Sequence, residues 1–548
     1  MNQQQIKVTF QPQGRTVYVL SGTKIIEAAA VAGIIIDTPC GGAGTCGKCR
    51  VKIISPKTEP TEADKKIFSA DELKENRRLA CQNQIVEDTV IEVSKESLLS
   101  AIEKIVMESD VLRTIVPDEQ RRVSGKYFGV AVDVGTTTLA ASLVNLVSAT
   151  ETAVTGSINP QISFGDDVIS RIKYATSGKN GLVELQKAVI RQINAMIGQL
   201  CEQGGVDKKN IYEITIAGNT TMEHLVCGID PAALGQLPFE PTWRGANVIN
   251  TSELKLEINN KGIAYLFPIV GGFVGGDIAA GMLAADILNQ PQPVLMIDIG
   301  TNGEIVLVKD NKITAASTAA GPAFEGARIS CGMRAAAGAI EKVKFSAWGC
   351  LTADDDCICS VIGNVEPAGI CGSGLIDITA ELLDAGIVDS MGKINPSAKV
   401  PPKIAQRLVI DTNGQPAFVV DKAIKITQKD IRQIQLAVGA IRAGINIILK
   451  RSGLKAANLK KVLIAGGFGS FIRRKNAQRI GLLPTEINHE KISFVGNTSL
   501  AGAKLALLSV KARKRGEKLA GQAQHVELSV DNDFQNEFAA AMIFPVQN

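Results

Sequence analysis

From Ile6 to Gly22 the segment IKVTFQPQGRTVYVLSG alternates apolar and polar residues around a glycine-containing break, which predicts two strands of a hairpin. The pattern then changes. TKIIEAAAVAGI (23–34) reads as a short helix ending at Gly33, and CRVKII (49–54) and TVIEVS (89–94) read as further strands. From about Lys95 to Lys126 the pattern is mixed, helical at first and charged at the end, and predicts a connector. Beyond it the chain repeats itself. GVAVDVGTTTLAASLV (129–144) and VLMIDIGTNGEIVLV (294–308) each read as an apolar strand ending in Asp, then x-Gly-Thr, then a second apolar strand. EITIAGNTTMEHL (213–225) pairs with KVLIAGGFGSFI (461–472), each a buried strand running into Ala-Gly and a turn. FVGGDIAAGMLAA (273–285) pairs with FVGNTSLAGAKLA (494–506), each read as a strand end, a glycine and a small-residue helix. Three matched segments in the same order imply two copies of one α/β unit, roughly 127–290 and 291–548.

Composition narrows this picture. A chain of 548 residues exceeds one core, and 45% apolar with 21% charged residues is ordinary for a globular protein. Only 4% aromatics beside 52 glycines suits α/β units with tight turns better than a β-sandwich. A net charge of +4 gives no case for nucleic acid or a membrane surface as partner. The start, MNQQQIKVTFQPQG, lacks a basic region followed by an apolar run, and the longest uncharged stretch, Val134–Thr150, is too short and polar to span a bilayer. A cytoplasmic location is expected, where the eleven cysteines would be reduced and a local cluster of them would bind metal.

That cluster lies in PCGGAGTCGKCRVK (39–52): Cys40, Cys46 and Cys49, followed by Cys81, spaced C-x5-C-x2-C-x31-C. Four soft thiolates suit a tetrahedral zinc or an iron–sulfur cluster. Structural zinc usually takes two short C-x2-C knuckles, whereas here three ligands share one loop and the fourth arrives from a distant strand. The glycines let the loop curl with backbone N–H groups toward the sulfides. Zinc, or plain buried thiols, is the alternative reading. With the strand–strand–helix–loop–strand order, these residues resemble the β-grasp [2Fe–2S] ferredoxins, and the C-x5-C-x2-C spacing is similar to the adrenodoxin-type branch. Cys357 and Cys359 fall on one face of an expected strand, CICSVIGNV, as small hydrophobes; Cys350 and Cys371 lie near them, and a second metal site there is a minority reading. Cys201, Cys227 and Cys331 are expected to be packing residues.

A strand–DxGT–strand turn places backbone amides and hydroxyls around a phosphate, and its Asp can hold Mg²⁺ through water or orient an attacking water. Two such turns facing each other grip a nucleotide from both lobes. The candidates are Asp133 with Gly135, Thr136, Thr137 and Thr138, and Asp298 with Gly300, Thr301, Asn302, Gly303 and Glu304. Gly218 and Asn219 of AGNTTM, Gly466, Gly467 and Gly469 of IAGGFGS, and Gly372, Ser373 and Gly374 before a helix complete the set, since glycine-rich helix starts favour anions. A similar helix start is NPQISFGDDVISRI (159–172). No Walker A motif is present.

Together these motifs resemble the actin/sugar-kinase/Hsp70 superfamily over some 400 residues. The chain departs from it in lacking a recognisable sugar-kinase catalytic acid, and in Asn302 and Glu304, where many relatives carry glycine and a hydroxyl or acid. In full, the order resembles the reductive activators of corrinoid enzymes, whose NPQxxFGxDVxxRI and AGNTTM signatures match Asn159–Ile172 and Ala217–Met222. The resemblance implies a ferredoxin domain (1–95), a linker (96–126), a middle domain as lobe I (127–290) and a C-terminal ATPase domain as lobe II (291–548), the last two RNase H-like. It implies a [2Fe–2S] cluster, ATP and Mg²⁺ as cofactors, a corrinoid protein of a methyltransferase system as partner, a low-potential electron donor, and a homodimer. The activity implied is ATP-dependent one-electron reduction of Co(II) to Co(I). An activator of a radical dehydratase, and an electron carrier with nucleotide-gated docking lobes but no catalysis, are the alternatives.

Overall fold

The computed structural model describes residues 5–12, 14–32, 34, 36, 44, 47, 49–93, 127–345, 357–411, 414–466 and 472–546. The expected linker, Gly33, Cys40, Cys46, Cys350, Gly467 and Gly469 lie outside the described residues.

The N-terminal module is one mixed sheet covered by a helix. Strands β1 (Gln5–Gln11) and β2 (Arg15–Leu20) pair antiparallel with Val8 opposite Val17, as the alternation predicts. With β3 (Arg50–Ser55), β4 (Arg77–Leu79) and β5 (Thr89–Val93) they form a sheet of order β2-β1-β5-β3-β4, in which β5 runs parallel to β1. Helix α1 (Ile25–Val31) shares one core with it, in which Ile25, Ala28 and Ala29 meet Val8, Phe10 and Ile91. A further helix, α2 (Glu62–Ile67), escapes the apolar pattern because it is short and mostly polar; a capping box between Thr61 and Asp64 starts it. Asp64 is fully buried and accepts from Leu79 N at 2.7 Å and Asn83 Nδ2 at 2.9 Å, which fastens the segment that carries Cys81.

The rest of the described chain is built on two six-stranded sheets of related plan, and lobe II adds two three-stranded sheets, one of Ala339–Phe345, Cys357–Val361 and Gly369–Ile370 and one of Leu408–Ile410, Pro416–Asp421 and Ile424–Thr427. In lobe I, β6 (Phe128–Val134), β7 (Thr138–Asn145) and β8 (Glu151–Ile158) form an antiparallel meander, and β9 (Ile211–Gly218) lies parallel to β6 on its other side. β10 (Asn247–Asn250) and β11 (Ile263–Leu266) complete the order β8-β7-β6-β9-β11-β10. In lobe II, β12 (Val294–Ile299), β13 (Gly303–Lys309), β14 (Lys312–Thr318), β15 (Lys461–Ala465), β16 (Ile492–Gly496) and β17 (Ala523–His525) give β16-β15-β12-β13-β14-β17. Both sheets therefore share the run third, second, first, fourth; lobe I continues with its sixth and fifth strands, lobe II with its fifth.

Burial explains the unbroken apolar runs in the first strands, since each sheet is covered on both faces. Val130, Val132 and Val134 belong to an outer core with the long helix α4 (Gly181–Gly204), which follows α3 (Val168–Thr176), while Ala131 faces a central core. In lobe II, Leu295 and Ile297 share an outer core with α7 (Gly372–Asp384) and α8 (Gln428–Arg451), and Met296 joins the central one. The central core holds α6 (Gly276–Ala284) and α9 (Thr498–Leu508); α5 (Thr220–Cys227) lies on lobe I. The two helices meet so closely that a Cβ on Gly502 would come within 2.1 Å of the Ala280 carbonyl oxygen, so only glycine fits.

One matched pair differs from expectation. Phe494–Gly496 ends strand β16, but its counterpart Phe273–Gly275 is not a strand end. In lobe I the strand stops at Leu266, and a compact bend follows in which the amides of Val270 and Gly271 both donate to the Val274 carbonyl, each at 3.0 Å.

Candidate functional site

The two DxGT turns open onto a single cleft with about 1040 Å³ of empty volume, open solvent included. Asp133, Gly135, Thr136, Thr137, Thr138 and Asn219 enter from lobe I; Asp298, Gly300, Thr301, Asn302, Glu304, Gly372 and Gly466 enter from lobe II. Four of the expected residues stand back from the lining. Gly218 packs on the Val134 carbonyl, Gly303 on Ile441, and Gly374 on the Ile340 carbonyl, while Ser373 donates to the Glu341 carbonyl at 2.9 Å. Their roles lie in close packing behind the cleft wall.

The first turn is tight because a Cβ at Gly135 would lie 2.6 Å from the Thr138 oxygen, and Gly135 N donates to that oxygen at 2.9 Å. All three following carbonyls are taken up behind the turn. Asn159 Nδ2 donates to Gly135 O and Asn159 N to Thr137 O, each at 2.9 Å, and the Arg171 guanidinium donates to Thr136 O. Asn159 opens the NPQISFGDDVISRI segment and Arg171 is its last residue but one, so that motif is a buttress. It leaves the hydroxyls of the turn to the cleft. Arg171 is fully buried, and burial pushes its guanidinium down to about 9, still protonated at neutral pH. Asn219 does two jobs: its Oδ1 caps α5 by accepting from Met222 N at 3.0 Å, and its Nδ2 donates to Thr136 Oγ1 at 2.9 Å.

Four carboxylates crowd the cleft. Asp298 and Glu304 are cross-strand partners, and Asp133 and Asp277 stand nearby. Burial, then Asp298 and Asp133, push the Asp277 carboxyl up to about 8; burial, then Asp133, pushes Asp298 up to about 7. Burial, then Asp277 and Asp298, raise Glu304 well above the usual range. Asp133 is also raised, first by burial, against hydrogen bonds from Ser499 Oγ at 2.7 Å and Asn497 Nδ2 at 2.9 Å. An all-oxygen, anionic donor set suits a hard divalent cation. Among the described residues no three of these side chains converge on one point, so such an ion would be held largely through its own waters, as Mg²⁺ usually is.

Sequence reasoning missed Asp277, Glu325, Arg334, Asn497 and Ser499, all of which line the cleft. Asp277 had a signal, an acid one residue into the matched small-residue helix GGDIAAGM.

Of the thiolate set, Cys49 and Cys81 are described. Both are buried, and their Sγ atoms lie 3.3 Å apart, too far for a disulfide and suited to two ligands of one iron. Ala80 N donates to Cys49 O at 2.8 Å, locking the two cysteine-bearing segments together. Cys357 is buried in the outer core of lobe II and Cys359 packs against it, as expected of small hydrophobes.

A ferredoxin-type module joined to a two-lobed, duplicated α/β unit with paired DxGT turns defines an iron–sulfur protein of the actin-like ATPase fold. Comparison with known proteins narrows that class. Residues 8–86 match the 2Fe-2S iron-sulfur cluster binding domain, residues 128–290 the RACo middle region, and residues 292–548 the C-terminal, ASKHA domain of RACo. The chain is 31% identical to the corrinoid activation enzyme RamQ of Eubacterium limosum, covering 98% of this chain and 99% of that one. It is 29% identical to the [Co(II) methylated amine-specific corrinoid protein] reductase of Methanosarcina barkeri, covering 77% of each. A solved structure of a reductive activator for corrinoid, iron-sulfur protein superposes with a TM-score of 0.73 at 34% identity, over 99% of both chains. The protein belongs to the family of RACo-like reductive activators of corrinoid proteins. No helix among the described residues is long and apolar enough to cross a membrane.

Proposed function

We propose that this enzyme couples ATP hydrolysis to the one-electron reduction of a Co(II) corrinoid to Co(I) on a partner protein of a methyltransferase system. The observation that carries the reading is the meeting of two DxGT turns from separate lobes over a group of four cleft-lining carboxylates, in a chain that also brings Cys49 and Cys81 together. In this reading Cys40, Cys46, Cys49 and Cys81 hold the [2Fe–2S] cluster, which supplies a one-electron carrier. The hydroxyls of Thr136 to Thr138 and Thr301 bind the phosphates, and Gly372 at the start of α7 adds a helix N-terminus. Asp277, Asp298 and Glu304 would hold Mg²⁺ through its waters, with Asp133 beside them, and the ion would neutralise phosphate charge. Lobe closure over the γ-phosphate changes the surface offered to the partner. A cytoplasmic homodimer fed by a separate low-potential donor completes the proposal.

Thermodynamics sets the requirement. For one electron, each ~59 mV of deficit costs tenfold in equilibrium constant. ATP helps only if the nucleotide-bound state treats Co(II) and Co(I) partners differently, because equal affinity shifts nothing. The test mixes reduced enzyme with a Co(II) corrinoid protein and follows the cobalt spectrum with and without MgATP. Co(I) should accumulate only with MgATP. Equal Co(I) in both arms would favour the carrier reading, and activation of a radical dehydratase in place of any corrinoid protein would favour that class instead.

A further inference from the structure

Between β14 and the segment 331–334 the stretch GPAFEGARIS (321–330) brings Phe324 and Glu325 to the cleft wall, and both lobes hold it. Ser330 N donates to Asp430 Oδ1 at 2.7 Å in lobe II, and Arg328 pairs with Asp166 and Asp167 of lobe I at 3.3 and 3.4 Å. Gly326 has φ +79°, and a Cβ there would sit 2.5 Å from the Met333 oxygen, so the turn after Glu325 requires glycine.

Glu325 is thereby set against the phosphate turns. Thr301 Oγ1 donates to Glu325 Oε1 at 2.6 Å, and Thr137 Oγ1 lies 3.1 Å from Thr301 Oγ1. A hydroxyl has one proton, and Thr301 spends its proton on the carboxylate, so Thr137 must be the donor to Thr301. The chain runs one way, from lobe I through lobe II to Glu325. In this state neither hydroxyl proton is free for a phosphate. The other carboxylate oxygen, Glu325 Oε2, is buried without a hydrogen-bond partner.

We propose that Glu325 orients the water that attacks the γ-phosphate, and that Thr301 occupies it until ATP arrives. The inference rests on the reading that this cleft hydrolyses ATP. A γ-phosphate draws the protons of Thr137 and Thr301 to its own oxygens, which frees both carboxylate oxygens of Glu325 for a water. The water oxygen then bonds to γ-phosphorus, the bond from phosphorus to the β–γ bridging oxygen breaks, and ADP leaves with that electron pair. The water's proton passes to Glu325 and from there to the released phosphate.

The roles separate by substitution in the full-length protein, with MgATP and MgADP binding measured by calorimetry and hydrolysis by single turnover. E325Q still accepts from Thr301 but takes no proton; hydrolysis should fall about a hundredfold, within the usual range for loss of a general base, with ATP affinity nearly unchanged. E325A releases Thr301, so it should hydrolyse as slowly yet bind ATP several-fold tighter, with ADP binding unaltered because ADP lacks the γ-phosphate. A purely structural role predicts that ATP and ADP weaken together. Turnover by E325Q within about threefold of the parent, or joint weakening, overturns the proposal. Should the Glu325 variants fold poorly, T301V keeps the carboxylate and removes the linking hydroxyl; it should lose ATP affinity selectively, and unchanged ATP binding also overturns the proposal. A parent protein that binds ATP but never hydrolyses it defeats the underlying reading, a result distinct from an active parent with an active E325Q.

Discussion

At the end of β6 the Asp133 carboxylate accepts hydrogen bonds from Asn497 Nδ2 and Ser499 Oγ at the start of α9; at the end of β12 the Asp298 carboxylate accepts none from any described residue. The two turns share the letters D-x-G-T and the same place in equivalent sheets. Their neighbours are not equivalent, because α9 leaves lobe II and packs on lobe I. Thr215 Oγ1 donates to the Ala503 carbonyl at 2.9 Å, and Lys504 pairs with Glu151 at 2.8 Å. Asp133 is therefore a pin between lobes with both oxygens engaged. Asp298 is left with an uncompensated charge facing the cleft. Duplication supplied two acids, and the crossing helix gave them different jobs.

The largest expected effect falls on the uncommitted acid. Asp298→Asn should cut ATP hydrolysis on the order of a hundredfold, as loss of a positioned carboxylate typically does, and leave the visible spectrum of the cluster intact. Asp133→Asn should cost about tenfold, since an amide oxygen still accepts from Ser499. Equal losses in a steady-state assay would erase the distinction. Cys81→Ser should do the reverse of both, bleaching the spectrum while basal hydrolysis persists.

A second test uses pH. An unfolded Asp ionises near 3.8, whereas folding holds Asp298 at about 7 and Asp277 at about 8. Between those limits the folded chain binds more protons than the unfolded chain, so stability falls as pH rises. Below about 3.8 both states are protonated and the penalty vanishes; above about 8 it is complete. The melting temperature without nucleotide should drop from pH 5 to pH 8, and Mg²⁺ should restore more of it at pH 8 than at pH 6. Asp298→Asn should flatten the slope. A greater flattening by Asp133→Asn would reverse the two assignments.

What the sequence disclosed follows from where the chemistry is local. The DxGT turns were legible because a strand, a short glycine-containing turn and a second strand are consecutive, and their repetition reported two related sheets. The iron–sulfur module was legible because the spacing of three of its cysteines is local to one short segment. Asn497, Ser499 and Glu325 were not, because each reaches the cleft from an element that only the folded topology brings near. Asn497 even lay inside a matched segment, but the match compared it with Gly276 and so concealed its bond to Asp133. The same match misplaced a strand end at Phe273, since sequence similarity cannot see that lobe I inserts a bend where lobe II runs straight into its helix.

The smallest effect is the sharpest on the comparison itself. Ser499→Ala removes one of the two bonds that distinguish Asp133 from Asp298 and leaves Asn497 on the other oxygen. A hydrogen bond to a charged group contributes roughly 1.5–3 kcal/mol, and α9 keeps its packing, so the melting temperature should fall by only a few degrees. The bonds from Ser499 and Asn497 both lower the Asp133 carboxyl, against the burial that raises it. Losing one raises it further, and the folded chain then holds that proton to higher pH. Ser499→Ala should therefore be more destabilising at pH 8 than at pH 5, which makes Asp133 titrate more like its twin. Hydrolysis should change by no more than about threefold, because this serine sets the acid and does not meet the reacting phosphate in the proposed mechanism. A loss of stability equal at both pH values would mean that Ser499 serves α9 alone, and the difference between the two acids would then rest on Asn497.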